Sequence, residues 1–150
     1  RRLPPRLRRA LRGEWLGHPA HPIVVTVPIG AYVSAAVLDL FPGSRAAARR
    51  LVGLGLLATP VAVGLGLADY AELNVRQRRV GLVHATANAV ASVCFTTSYL
   101  SRSRKWGLLG LAAMGAGGAL GGHLAYAQGA GVHRWQLPES EALEHRTTIA

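Results

Sequence analysis

Four long apolar runs constrain this chain more than any other feature. A bilayer core needs roughly 20 mostly apolar residues per helix. Residues 22–41, 51–70, 80–100 and 106–127 each meet that need, and Asp39 and Asp69 are the only carboxylates within them. The joints are short: Pro42-Gly43-Ser44 is a turn signal, and residues 74–79 and 101–105 are polar and basic. Surface helices of soluble proteins carry a polar face, which the third and fourth runs almost lack. The reading is an all-α, four-helix transmembrane bundle with both termini on one side.

Charge supports this. Of the 150 residues, half are hydrophobic and only 16% are charged, although the net charge is +10. The basic residues gather in an N-terminal arm (Arg1, Arg2, Arg6, Arg8, Arg9, Arg12) and in the joints. That placement suits loops meeting anionic lipid headgroups, so membrane lipids are an expected partner. Nucleic acid is not, since its binders carry a basic stripe on a folded soluble surface. Arg76, Arg78, Arg79, Arg134 and Arg146 share the N-terminal side, against Arg45, Arg49, Arg50, Arg102, Arg104 and Lys105 opposite. The Lys/Arg bias predicts cytoplasmic termini.

The chain divides into a basic arm at 1–16, a four-span membrane domain at 17–132 and a polar tail at 133–150. In the arm, Leu7, Leu11 and Trp15 recur at helical spacing among arginines, which fits either a short helix in the interface or a disordered basic tail. The arm, with Pro4 and Pro5, lacks the apolar core and cleavage site of a signal peptide. The single Cys94, inside an apolar run, excludes an internal disulfide and reads as a small buried hydrophobe.

Ionisable groups inside membrane spans point to function. Up-and-down threading places His18 and His21 before span one, Asp69 and Tyr70 at the end of span two, His84 and Asn88 at the start of span three, and His123 and Tyr126 at the end of span four. All fall at the cytoplasmic end; Asp39 falls at the other. His84 and Asn88, four apart, share a helix face, as do His123 and Tyr126, three apart. In Gly17-His18-Pro19-Ala20-His21-Pro22 the prolines bias both histidines toward extended backbone, predicting a stiff loop above the membrane. His133 and His145 lie outside the spans and read as surface histidines.

This cluster admits four readings. Haem needs one or two imidazoles on facing helices and a slot for the macrocycle. A non-haem metal would take three or four of the histidines, with Asp69 as ligand or as acceptor from an imidazole N–H. A quinone or proton site would use His84 or His123. Otherwise these groups form a satisfied polar network that pins helix ends. The glycine pairs Gly117/Gly121 and Gly118/Gly122, with Gly53, Gly55, Gly64 and Gly66, suit either close helix packing or a flat cofactor. No GxSxG, Walker, HExxH or Rossmann signature occurs, and no inverted repeat of the transporter kind is evident.

GHPAHPIVVTVPIG (17–30), Asp39, GLADY (66–70), RRVGLVHATAN (78–88) and GGHLAY (121–126) resemble a family of small bacterial four-helix membrane proteins, a domain of unknown function. The resemblance covers Leu16 to Val132. Some family members are fused to, or encoded near, Rieske iron–sulfur domains, which implies electron transfer and favours haem or quinone. This chain lacks the two Cys and two His ligands of a Rieske centre. In the family the position of His123 is often acidic or variable, which makes His18, His21 and His84 the safer ligands.

The expectation is therefore a redox-associated subunit of a bacterial inner membrane. It would hold haem b or a metal at the cytoplasmic end and exchange electrons with a quinone pool or a partner protein. His84 and His123, both on spans, are the expected axial pair. His18 and His21 are alternative ligands or a lid, Asp69 and Asn88 orient imidazoles, and Tyr126 lines the site. The rival expectation is a cofactor-free anchor or assembly subunit of a larger complex.

Overall fold

The computed structural model describes residues 4–131; His133 and His145 lie outside them. Four helical stretches are long and apolar enough to cross a membrane: Ala20–Leu38, Arg45–Tyr70, Val75–Ser101 and Arg104–Ala127. The elements are α1 (Pro5–Arg12), α2 (Ala20–Val24), α3 (Thr26–Leu38), α4 (Arg45–Tyr70), α5 (Val75–Ser101) and α6 (Arg104–Gly122), with a π-turn at His123–Ala127. The chain is a multi-pass, all-α membrane bundle.

The packing is inside-out relative to a soluble protein. The buried apolar residues are mostly alanine, and Phe95 is the one large side chain that is fully enclosed among the described residues. Ile23, Val33, Leu54, Leu57, Leu67, Leu82, Val93 and Leu108 all point outward. So large an apolar surface is not tolerated in water. In lipid it is the solvent-facing surface, and small residues let the helix backbones approach closely.

The bundle is two antiparallel hairpins, α2–α3 with α4 and α5 with α6, and contacts within each hairpin outnumber those between them. The first span is broken at Val25 because Pro28 has no N–H to offer the Val24 carbonyl one turn earlier. Val25 and Ile29 keep their bonds to His21 and Val25, at 3.0 and 3.2 Å, so the chain direction carries through. Helix α4 starts at Arg45, six residues before its apolar run, because arginines are good helix formers where the span leaves the hydrocarbon. Asn74 caps α5 by accepting from the Gln77 N–H at 2.9 Å, while the Gln77 side chain accepts from the Asn74 N–H at 3.1 Å.

Both ends are tied. At one, the Arg104 guanidinium donates to the Asp39 carbonyl and lies 3.6 Å from its carboxylate. At the other, Arg8 and Arg12 reach Glu72 at 3.3 and 3.9 Å, which docks α1 across the turn after α4. The arm is thus helical from Pro5 to Arg12, with Trp15 73% exposed beyond it. The helix stops at Gly13, whose φ of +78° is left-handed and whose missing Cβ would lie 2.2 Å from the His18 carbonyl oxygen. Both ends of the described chain lie at this end of the bundle, and Gln77 donates to the Gln128 carbonyl at 2.9 Å. Cys94 is free and buried.

Candidate functional site

Two imidazoles are built into the helix packing, one in each hairpin. His21 sits in the first turn of α2, not in an extended loop: Pro19 caps the helix and Pro22 occupies its third position, where no intrahelical N–H bond is lost. Of the two loop histidines expected, only His18 is in the loop, and it is exposed. The His21 Nδ1 lies 2.9 Å from the Ala62 carbonyl oxygen of α4, and its ring covers Gly66, where a Cβ would meet it at 3.0 Å. In the second hairpin, His84 Nδ1 lies 2.7 Å from the Gly117 carbonyl oxygen of α6, and its ring covers Gly121, again 3.0 Å from the missing Cβ.

A carbonyl oxygen only accepts, so Nδ1 carries the proton in both rings. In the neutral ring this tautomer leaves Nε2 its lone pair, the arrangement that metal-ligating histidines adopt. Asn88 donates to the His84 carbonyl at 2.9 Å, and its amide nitrogen stands 3.4 Å from both ring nitrogens, too far for a strong bond. Gly117 makes room for it: a Cβ there would lie 2.6 Å from the Asn88 amide nitrogen.

The correspondence extends beyond the histidines. Eleven residues after His21 comes Tyr32, and eleven after His84 comes Phe95. These rings stack at the centre of the bundle, with centroids 3.7 Å apart and planes within 5°. Each ring also covers a glycine on the helix opposite, Gly55 under Tyr32 and Gly110 under Phe95. Those glycines precede Gly66 and Gly121 by eleven residues. The two hairpins therefore repeat one device in the same direction: imidazole on glycine, and three helical turns deeper an aromatic ring on glycine. Eleven residues is close to three turns, about 16 Å, so both rings lie on one face of each span. The Tyr32 hydroxyl is 2.9 Å from Thr59 Oγ1, which in turn donates to the Gly55 carbonyl at 2.8 Å, a tie that Phe95 lacks.

The sequence reading missed Tyr32, Phe95 and Gly110, and named Gly55 without its ring. The signal was present as His-x10-aromatic and Gly-x10-Gly, each occurring twice in the same order. Most of the singled-out glycines are seats for the protein's own side chains: Gly53 for Tyr99, Gly55 for Tyr32, Gly66 for His21, Gly117 for Asn88 and Gly121 for His84. Gly64, Gly118 and Gly122 face open space.

Of the remaining expected site residues, His123 and Tyr126 stand apart from these seats. His123 follows Gly121 by two positions, about 200° around the helix, so it points away from His84. It is exposed, with Nε2 3.1 Å from the Gln128 amide nitrogen. Tyr126 is 92% exposed. Asp69 is half-buried in the last turn of α4, and its carboxylate is not free. Among the described residues, no three of the His, Cys, Asp and Glu side chains converge to hold a metal ion. Compared with known protein families, curated proteins and solved structures, the chain matches none.

Proposed function

We propose that this chain is a redox-associated membrane subunit that holds haem b through His21 and His84 near the ends of its two hairpins. The observation that carries this reading is the repeated fixing of an imidazole by a backbone carbonyl at Nδ1. A hydroxyl would tie two helices together as well, and an imidazole is costly in lipid. Keeping it in both hairpins, with Nε2 spared, is the donor chemistry that a haem iron would take. The Ala62 and Gly117 carbonyls set the tautomer and aim the rings. Asn88 stiffens the turn that carries His84. Bound haem supplies one-electron transfer.

The Rieske association implied by the family resemblance supports a redox role, with a quinone or a partner redox protein as the exchange partner. The Lys/Arg bias and the resemblance support a bacterial inner membrane with cytoplasmic termini. The geometry favours His21 over His123 as the partner of His84, because His21 holds the matching position in the other hairpin.

Absorption spectra of protein purified from haem-supplied cells test the reading. The expected result is a Soret band that His21→Ala and His84→Ala each abolish and His123→Ala retains. A folded, colourless, iron-free protein overturns it. The bundle is then a cofactor-free anchor whose histidines only fasten helices.

A further inference from the structure

At the end of the bundle opposite the imidazoles, α4 and α5 leave a groove that the redox reading does not use. It is about 490 Å³ in volume and is lined by Arg50, Gly53, Leu54, Leu56, Leu57 and Tyr99. Arg50, Gly53, Leu54 and Leu57 follow one another at helical spacing along α4, so the groove runs about 10 Å along the helix from a cation toward apolar side chains. We propose that it is a binding site for one anionic glycerophospholipid, with the phosphate at Arg50 and the start of an acyl chain along Leu54 and Leu57.

Three observations select this occupant. First, the groove lies on two helices long and apolar enough to cross a membrane, with Leu54 and Leu57 facing outward, so lipid is the medium beside it. Second, this end is strongly electropositive. The joints and helix ends here carry Arg45, Arg49, Arg50, Arg102, Arg104 and Lys105 against the lone carboxylate Asp39, and Asp39 is already paired with Arg104. Third, the neighbouring cation is committed and Arg50 is not. Arg49 donates to the Tyr99 carbonyl at 3.1 Å and lies 4.3 Å over the Tyr99 ring, which fixes that wall of the groove. Gly53 lets the ring sit there, since a Cβ would stand 3.1 Å from it. Arg50 has no hydrogen-bond or ion-pair partner among the described residues. A basic residue beside an apolar cleft at headgroup depth recognises an anionic lipid by charge and by its chain together.

Native mass spectrometry of the detergent-purified chain tests this, using phosphatidylglycerol and phosphatidylcholine with identical acyl chains. The expected result is at least fivefold preferential retention of phosphatidylglycerol, lost in Arg50→Gln but kept in Arg45→Gln, which lies outside the groove. The loss is about fivefold because one headgroup-facing cation is removed. Glycerol phosphate in excess leaves the bound lipid in place if the acyl chain contributes, and displaces it if only the phosphate is held. Equal retention of both lipids, equal losses in the two variants, or displacement by glycerol phosphate overturns the proposal. Circular dichroism melts of both variants confirm that each is folded. The haem spectrum does not enter the readout.

Discussion

The two hairpins solve one packing problem with different residues. In the first, the His21 imidazole rests against an alanine carbonyl and the residue one turn on is Val25. In the second, His84 rests against a glycine carbonyl and the residue one turn on is Asn88, which bonds back to the His84 carbonyl. The central aromatic differs as well: Tyr32 is tied through Thr59 to α4, while Phe95 is held by packing alone. What stays fixed is an imidazole on glycine and a ring on glycine at a separation of three turns. The surroundings vary, which separates what the device requires from what each hairpin adds to it.

The closest ring seat gives the sharpest way to break this comparison. A Cβ on Gly55 would lie 2.5 Å from the Tyr32 ring, whereas one on Gly110 would lie 3.0 Å from Phe95. Overpacking of this kind costs about 1–3 kcal/mol. Gly55→Ala is expected near the top of that range and Gly110→Ala near the bottom, read as loss of thermal stability in detergent. Equal losses mean that the closer ring seat is not the less tolerant one. The asymmetry around the histidines offers a second test. Gly117→Ala drives a Cβ into the Asn88 amide and is expected to cost about 1–2 kcal/mol. Adding Asn88→Val gives the second hairpin the Val and Ala of the first and is expected to restore most of the loss. A double-mutant cycle with no coupling overturns the equivalence of the hairpins. The smallest effect is expected from Tyr32→Phe, which makes the central pair alike and removes the bond to Thr59. Hydrogen bonds between membrane helices average about 0.6 kcal/mol, so a loss of about that size in the same assay is expected.

The spans were legible because bilayer thickness leaves a signal that individual residues cannot hide. Gathering His18, His21, His84 and His123 at one end followed from counting crossings. Direction was not legible. His123 reads as a partner for His84 from its depth alone, yet two further positions beyond Gly121 turn it outward. The paired His-Pro steps read as a rigid loop, but proline is harmless in a first helical turn and His21 went into the helix. The repeat stayed hidden for a different reason. The imidazoles and rings recur 63 residues apart, while their glycine seats recur 55 apart, because the first hairpin has a longer connection and α4 runs further before its first seat than α6 does. No single offset aligns the halves, and Tyr/Phe, Ala/Gly and Val/Asn differences weaken any direct match.

Only Ala71 to Asn74 separates the hairpins, and the reciprocal Asn74–Gln77 cap sets where the second begins. So short a tether keeps each half at a high effective concentration for the other, far above what lateral diffusion between molecules supplies. Because the halves are built alike, each could also accept the matching half of a neighbouring chain. A tether of four residues makes the internal partner win, whereas lengthening it would open exchange between molecules, with Tyr32 of one copy meeting Phe95 of the next.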